Sequence, residues 1–165
     1  MITVTLLRPL VFCLALFSAA PVFAQGTNVA FGTIRQDTTA PVEVTADNLS
    51  VDQSNGTAIF VGNVLIGQGD LRLSAAKVLV VYRDQNVGIS RLEASGGVTL
   101  VSGLDAAEAQ RADYDIDSGT IVMTGDVLLT QGPSALTSEK MTVNLRDGTA
   151  QMSGRVKTIL NTGKN

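Results

Sequence analysis

Three aspartates alternate in Asp113-Tyr114-Asp115-Ile116-Asp117-Ser118-Gly119, a run that mimics the opening of a calcium-binding loop. The twelfth position of such a loop must close the site with a bidentate glutamate, and here it is Thr124. The alternation instead places all three acids on one solvated strand face. Arg72, Lys77, Arg83 and Arg91 are the cations that could meet phosphate, although a solvated surface is the better reading for them. There is no His and no Trp, and the single cysteine is Cys13. Triad chemistry, His-ligated zinc and the usual proton shuttle are therefore absent. Sugar cleavage would need paired carboxylates beside aromatic platforms, and two Tyr without Trp supply no such site. With 12 Lys+Arg against 15 Asp+Glu, the net charge of −3 also lacks the basic character of a nucleic-acid binder. The residues point to no enzyme and to no cofactor.

What remains is apolar contact. Hydrophobic residues make up 45 % of the chain but aromatics only 4 %, so the apolar content is aliphatic. With 16 Gly, this is the composition of a strand-rich, turn-rich protein. Four segments repeat: Gly62-Asn63-Val64, Gly96-Gly97-Val98, Gly125-Asp126-Val127 and Gly154-Arg155-Val156, with glycine spacings of 34, 29 and 29 residues. A second glycine precedes each, at Gly56, Gly88, Gly119 and Gly148. The flanks match as well, most closely Gly62 to Gly69 against Gly125 to Gly132. Four copies of one pattern imply a repeated supersecondary unit.

Between the glycines the hydrophobic period is two. Leu71 and Leu73, then Val78, Val80 and Tyr82, alternate with polar or small residues, as do Ala112, Tyr114 and Ile116. The phase slips at Ser74-Ala75-Ala76-Lys77 and again at Ser138-Glu139-Lys140. Such a slip flips the buried face unless the strand bulges or turns a corner there. Ser54-Asn55-Gly56, Asp117-Ser118-Gly119 and Arg146-Asp147-Gly148 read as tight hairpins, with wider turns at Gln68-Gly69-Asp70 and Gln131-Gly132-Pro133. Asp105 to Arg111 is the one helix window after residue 41, and it is too short. The expected fold is all-β: an open, twisted antiparallel β-jellyroll or sandwich built from repeated strand hairpins.

At the N-terminus, Arg8 precedes a largely apolar stretch of 11 residues, Leu10 to Ala20, followed by Val22 and Ala24 at −3 and −1 of a cut before Gln25. The stretch is short of the roughly 20 residues that span a bilayer. Residues 1–24 read as a cleaved signal peptide, 25–40 as a flexible leader, 41–160 as the domain and 161–165 as a disordered tail. Cleavage makes the product an exported one.

Pro41-Val42-Glu43-Val44-Thr45-Ala46-Asp47, Asn55 to Val64 and Gln68 to Val78 resemble the OstA-like domain family of periplasmic lipopolysaccharide transport proteins. The likeness covers about residues 41–160. It implies a jellyroll with a V-shaped groove for lipopolysaccharide acyl chains, bridging inner- and outer-membrane transport complexes. It also implies head-to-tail self-association and pairing with related OstA-like domains of the membrane partners. On this likeness Val42, Val44 and Leu100 match first-strand and groove positions. Val64, Ile66, Val98, Val127 and Leu129 follow the repeated glycines and should point between the sheets. Phe60 completes the expected lipid-binding set.

The physical case is independent of the likeness. Hydrating an acyl chain of about 12 carbons costs on the order of 9 kcal/mol, which an aliphatic trough removes without any catalytic group. A self-assembling structural β-repeat without a lipid is the competing expectation, because an open sheet leaves edges that pair with other chains.

Overall fold

A computed structural model describes residues 27–32, 37–83 and 88–159. The expected signal peptide, its cut and the tail lie outside these residues. Among the described residues, eleven strands form one antiparallel sheet: β1 (Thr27–Ala30), β2 (Glu43–Thr45), β3 (Asn48–Asp52), β4 (Thr57–Gln68), β5 (Leu71–Tyr82), β6 (Ile89–Ser102), β7 (Asp105–Asp115), β8 (Thr120–Gln131), β9 (Ser134–Asn144), β10 (Thr149–Ser153) and β11 (Lys157–Ile159). β4 to β9 are a meander of long strands, and the expected all-β fold is the one found. The sheet is open, running β1-β10-β9-β8-β7-β6-β5-β4-β2, with β3 also on β4 and β11 also on β9. The Asp105 to Arg111 window is strand, part of β7.

Every long pairing shifts register at mid-strand: Val61/Val64, Ala75/Lys77, Ser95/Val98, Glu108/Arg111 and Thr124/Val127. These shifts line up across the sheet and fold it into two wings. Wing A holds β2, β11 and the halves of β4–β9 nearest the Gly69, Gly103 and Gly132 turns. Wing B holds β1, β3, β10 and the other halves. The phase slip read from the sequence is this corner. In β5, Leu71, Leu73 and Ala75 are buried in wing A and Val78 and Val80 in wing B. The three-residue step from Ala75 to Val78 keeps the inner face inner as the strand turns. Both inner faces merge in one aliphatic core.

The repeated Gly-x-Val segments make the corner. Gly62, Gly125 and Gly154 have φ of 85°, 86° and 78°, and the residues after them, Asn63, Asp126 and Arg155, also take positive φ. Gly96 and Gly97 do the same at 84° each. Two successive residues at positive φ interrupt the extended strand, a conformation that costs a side-chain-bearing residue about 1–2 kcal/mol. The second residue is tied to an adjacent segment, the β2–β3 link, β7 or β9. Asn63 Nδ2 donates to Asp47 at 2.8 Å, Gln110 Nε2 to Asp126 at 2.7 Å, and Arg155 Nε to Glu139 at 2.7 Å.

The turn assignment is reversed relative to expectation. Gly69-Asp70, Gly103-Leu104 and Gly132-Pro133 are two-residue connections, whereas residues 53–56, 116–119 and 145–148 are four-residue loops. An Asx side chain ahead of each longer loop explains this. Asp52 accepts from Ser54 N–H (2.9 Å), Asp115 from Ser118 N–H (2.7 Å) and Asn144 from Arg146 N–H (3.0 Å), so the chain turns before it reaches the glycine.

The leader expected over 25–40 is likewise partly structured. Thr27–Ala30 pairs with Thr149–Met152, and Phe31 is 2 % exposed in the core. A four-residue strand whose partner lies at the far end of the chain leaves no local period to read.

Candidate functional site

The six interior residues expected to face the ligand all point between the wings. Val64, Ile66, Val98, Leu100, Val127 and Leu129 are 0–3 % exposed and belong to the common core. They form one band across wing A, because Val64↔Ala75, Ala75↔Val98 and Leu73↔Leu100 are cross-strand neighbours. Leu73, Val78, Val80, Tyr114, Met123, Met141, Val143 and Met152 are buried with them. The wings are closed on each other at this level.

At the turn end of wing A, polar groups tie the wings and the N-terminal segment together. Gln68 is buried; its Nε2 donates to the carbonyls of Thr38 and Ala40, each at 3.0 Å. Its Oε1 accepts from the Tyr114 hydroxyl of wing B. Burial pushes the Tyr114 phenol up to about 12, against a smaller opposing effect of the Gln68 bond. Asp105 at the start of β7 and Gln131 at the end of β8 flank the neighbouring turns: Gly32 N–H donates to Asp105 at 2.7 Å, and Gln131 Nε2 donates to the Ala30 carbonyl at 2.7 Å. Gln68 and Gln131 were visible as turn markers, but nothing local announced that they hold a distant segment.

The β2/β3 end of the molecule is different. Leu49 lies opposite Phe60 and Val51 opposite Ala58, which is a core residue. Residues directly opposite in an antiparallel pair share a face, so Leu49 and Val51 face inward. Yet they are 56 % and 57 % exposed. Val42, Val44 and Phe60 are partly buried and pack on the core at the same end. A depression of about 200 Å³ lined by Val51, Asp52, Gln53, Thr57 and Tyr82 opens there. Leu49 and Val51 thus carry the apolar inner face out to its rim, and no other described residue covers them at this end. The sequence reading missed Leu49 and Val51, although the alternation in Asn48-Leu49-Ser50-Val51-Asp52 carried the signal.

The cations are largely engaged. Arg83 pairs with Asp117, Arg91 with Glu93 at 2.7 Å, and Arg72 donates to the Leu71 carbonyl at 2.8 Å. Lys77 is exposed. Among the described residues no cluster of three His, Cys, Asp or Glu side chains could hold a metal ion. Asp115 is exposed, and its carboxyl lies below the usual range because the Ser118 N–H and hydroxyl stabilise the anion.

A single bent antiparallel sheet enclosing an aliphatic interior defines an open β-jellyroll. The solved structure of LptH, described as the LptA homologous periplasmic component of the conserved lipopolysaccharide transport device from Pseudomonas aeruginosa, shares this fold. Its TM-score is 0.68 at 15 % identity, covering 76 % of this chain and 99 % of that one. Residues 43–149 match the family model described as LptA/(LptD N-terminal domain) LPS transport protein. The chain belongs to this family. It is also similar to the lipopolysaccharide export system protein LptA of Haemophilus influenzae, 28 % identical over 116 residues, 66 % of each chain. An uncharacterized protein R00383 of Rhizobium meliloti is 29 % identical over 114 residues, 65 % of this chain and 61 % of that one. The chain thus spans just under two thirds of the length of both relatives.

Proposed function

We propose that this protein is a periplasmic lipopolysaccharide carrier that shields acyl chains between its wings and bridges inner- and outer-membrane transport complexes. The carrying observation is the uncovered, inward-facing apolar rim at β2 and β3. Acyl chains enter beside Leu49, Val51, Phe60, Val42 and Val44. The wings then part, so that Val64, Ile66, Val98, Leu100, Val127 and Leu129 line the bound chains. Apolar contact is non-directional, so a chain can advance along such an interior without a fixed pose. Head-to-tail contacts with further copies, and with related domains on the membrane partners, extend the trough across the gap.

Site-specific photocrosslinking in cells tests this. Photoreactive residues at Phe60 on the rim and at Leu100 in the interior should give lipopolysaccharide adducts, and one at exposed Asp115 should not. Adducts at Phe60 alone would confine the lipid to the rim. None at either position in a folded protein would leave the second reading, a lipid-free structural β-repeat. That reading is favoured by the closed packing around Leu100 together with the fully exposed β3 edge.

A further inference from the structure

The two ends of the sheet are unequal. Among the described residues, β2 and β3 pair only with β4, and β11 only with β9. The outer edge of β10, however, is filled by β1. All pairings are antiparallel, and an even number of steps along the sheet separates β1 from β3, so the two strands run in the same direction. A second copy stacked in the same orientation would lay its β3 antiparallel against β10, where β1 now lies. Its β2 would meet β11, also antiparallel. β1 is a shorter stand-in for that strand, four residues against five.

We propose that Thr27–Ala30 is a cis-acting cap that holds the β10 edge until the β3 strand of a second copy of this chain displaces it. This rests on the head-to-tail association proposed above and adds its control. The cap is anchored mainly just beyond its C-terminal end. Phe31 is buried and its N–H donates to the Gly148 carbonyl at 3.0 Å, Gly32 is held by Asp105, and the Ala30 carbonyl is held by Gln131. The strand itself buries little: Thr27, Asn28 and Ala30 are exposed and only Val29 packs on the core. A short strand held in this way exchanges without unfolding the sheet. An uncovered edge pairs indiscriminately, and the cap lets a matching strand in while excluding weaker ones.

Asn28 lies opposite Gln151, both exposed. The Phe31–Gly148 bond sets the phase, which makes Asn28–Gln151 a non-hydrogen-bonded pair with Cα atoms about 4.5 Å apart, within disulfide reach. A chain starting at Gln25 has no other cysteine, so Asn28→Cys with Gln151→Cys locks the cap reversibly. Val29→Pro removes a ladder donor and loosens it. Self-association is read by sedimentation velocity over a concentration series. Val29→Pro should lower the dissociation constant about tenfold. The oxidised double-cysteine chain should stay monomeric where the natural chain associates, and reduction should restore association. If the oxidised chain associates like the natural one, the cap is overturned while head-to-tail association stands. If no variant associates, reduced or oxidised, association itself fails and the cap with it. Should Val29→Pro not fold, the oxidised and reduced forms of the cysteine variant decide alone.

Discussion

The Tyr114 hydroxyl of wing B donates to Gln68 Oε1 of wing A across the interior, at 2.5 Å, while the Gln68 amide holds the carbonyls of Thr38 and Ala40. One buried side chain thus joins both wings and the segment leading into β2. Removing the hydroxyl leaves a buried acceptor without its partner. Tyr114→Phe is expected to destabilise the fold by about 1–3 kcal/mol, read as a lower urea midpoint at an unchanged slope.

The same residue gives alkaline instability with a definite sign. The folded phenol is raised above its ordinary value of 10.0 to about 12. Its contribution is therefore fully present below pH 10, where both states are protonated. It is lost as pH rises from 10 through about 12, where the unfolded state ionises first. Urea unfolding of the natural chain should show a loss of stability between about pH 10 and about pH 12 that Tyr114→Phe lacks. An identical pH dependence in both proteins would remove Tyr114 from the account.

Corner glycines should differ in their tolerance. A Cβ on Gly96 would sit 2.8 Å from the Ala76 Cβ, which cannot move aside, whereas at Gly62 it would meet the Asp47 carboxylate at 2.5 Å, which can rotate away by giving up its bond to Asn63, and the Asp47 Cβ only at 3.1 Å. Both also sit at positive φ. Gly96→Ala should cost more than Gly62→Ala, each at least about 1–2 kcal/mol, in the same urea assay.

Rim residues separate binding from folding. Because Leu49 and Val51 are already more than half exposed, Leu49→Gln with Val51→Thr should change stability by less than about 1 kcal/mol. Lipopolysaccharide crosslinking at Phe60 should nevertheless fall severalfold. Leu100→Ala, in contrast, should cost about 2–5 kcal/mol, as for any fully buried leucine. Equal lipid yield from the rim variant and the natural chain would move the point of entry away from β3.

Aliphatic alternation, the Gly-x-Val recurrence and the mid-strand phase slip were enough to read an all-β repeat with cornered strands. These are local signals: period two follows from the pleat, and a slip of one residue must be taken up by a bulge. The inward orientation of Val64, Leu100 and Leu129 followed from the same alternation. The lengths of the turns did not. Asp52, Asp115 and Asn144 compete for the loop N–H groups and widen the loops that their glycines seemed to tighten.

Three features came from long-range packing alone. β1 exists because β10 offers an edge, and its partners stand more than a hundred residues away, beyond any periodicity in Thr27–Ala30. Gln68 is buried only because Tyr114 and the Thr38–Ala40 backbone converge on it from separate parts of the chain. Leu49 and Val51 are exposed although they face inward, because among the described residues the sheet ends at β3 and no further strand covers them. Alternation tells which face of a strand is apolar. Whether that face is covered depends on what the rest of the chain lays over it, and at β3 the described residues lay nothing.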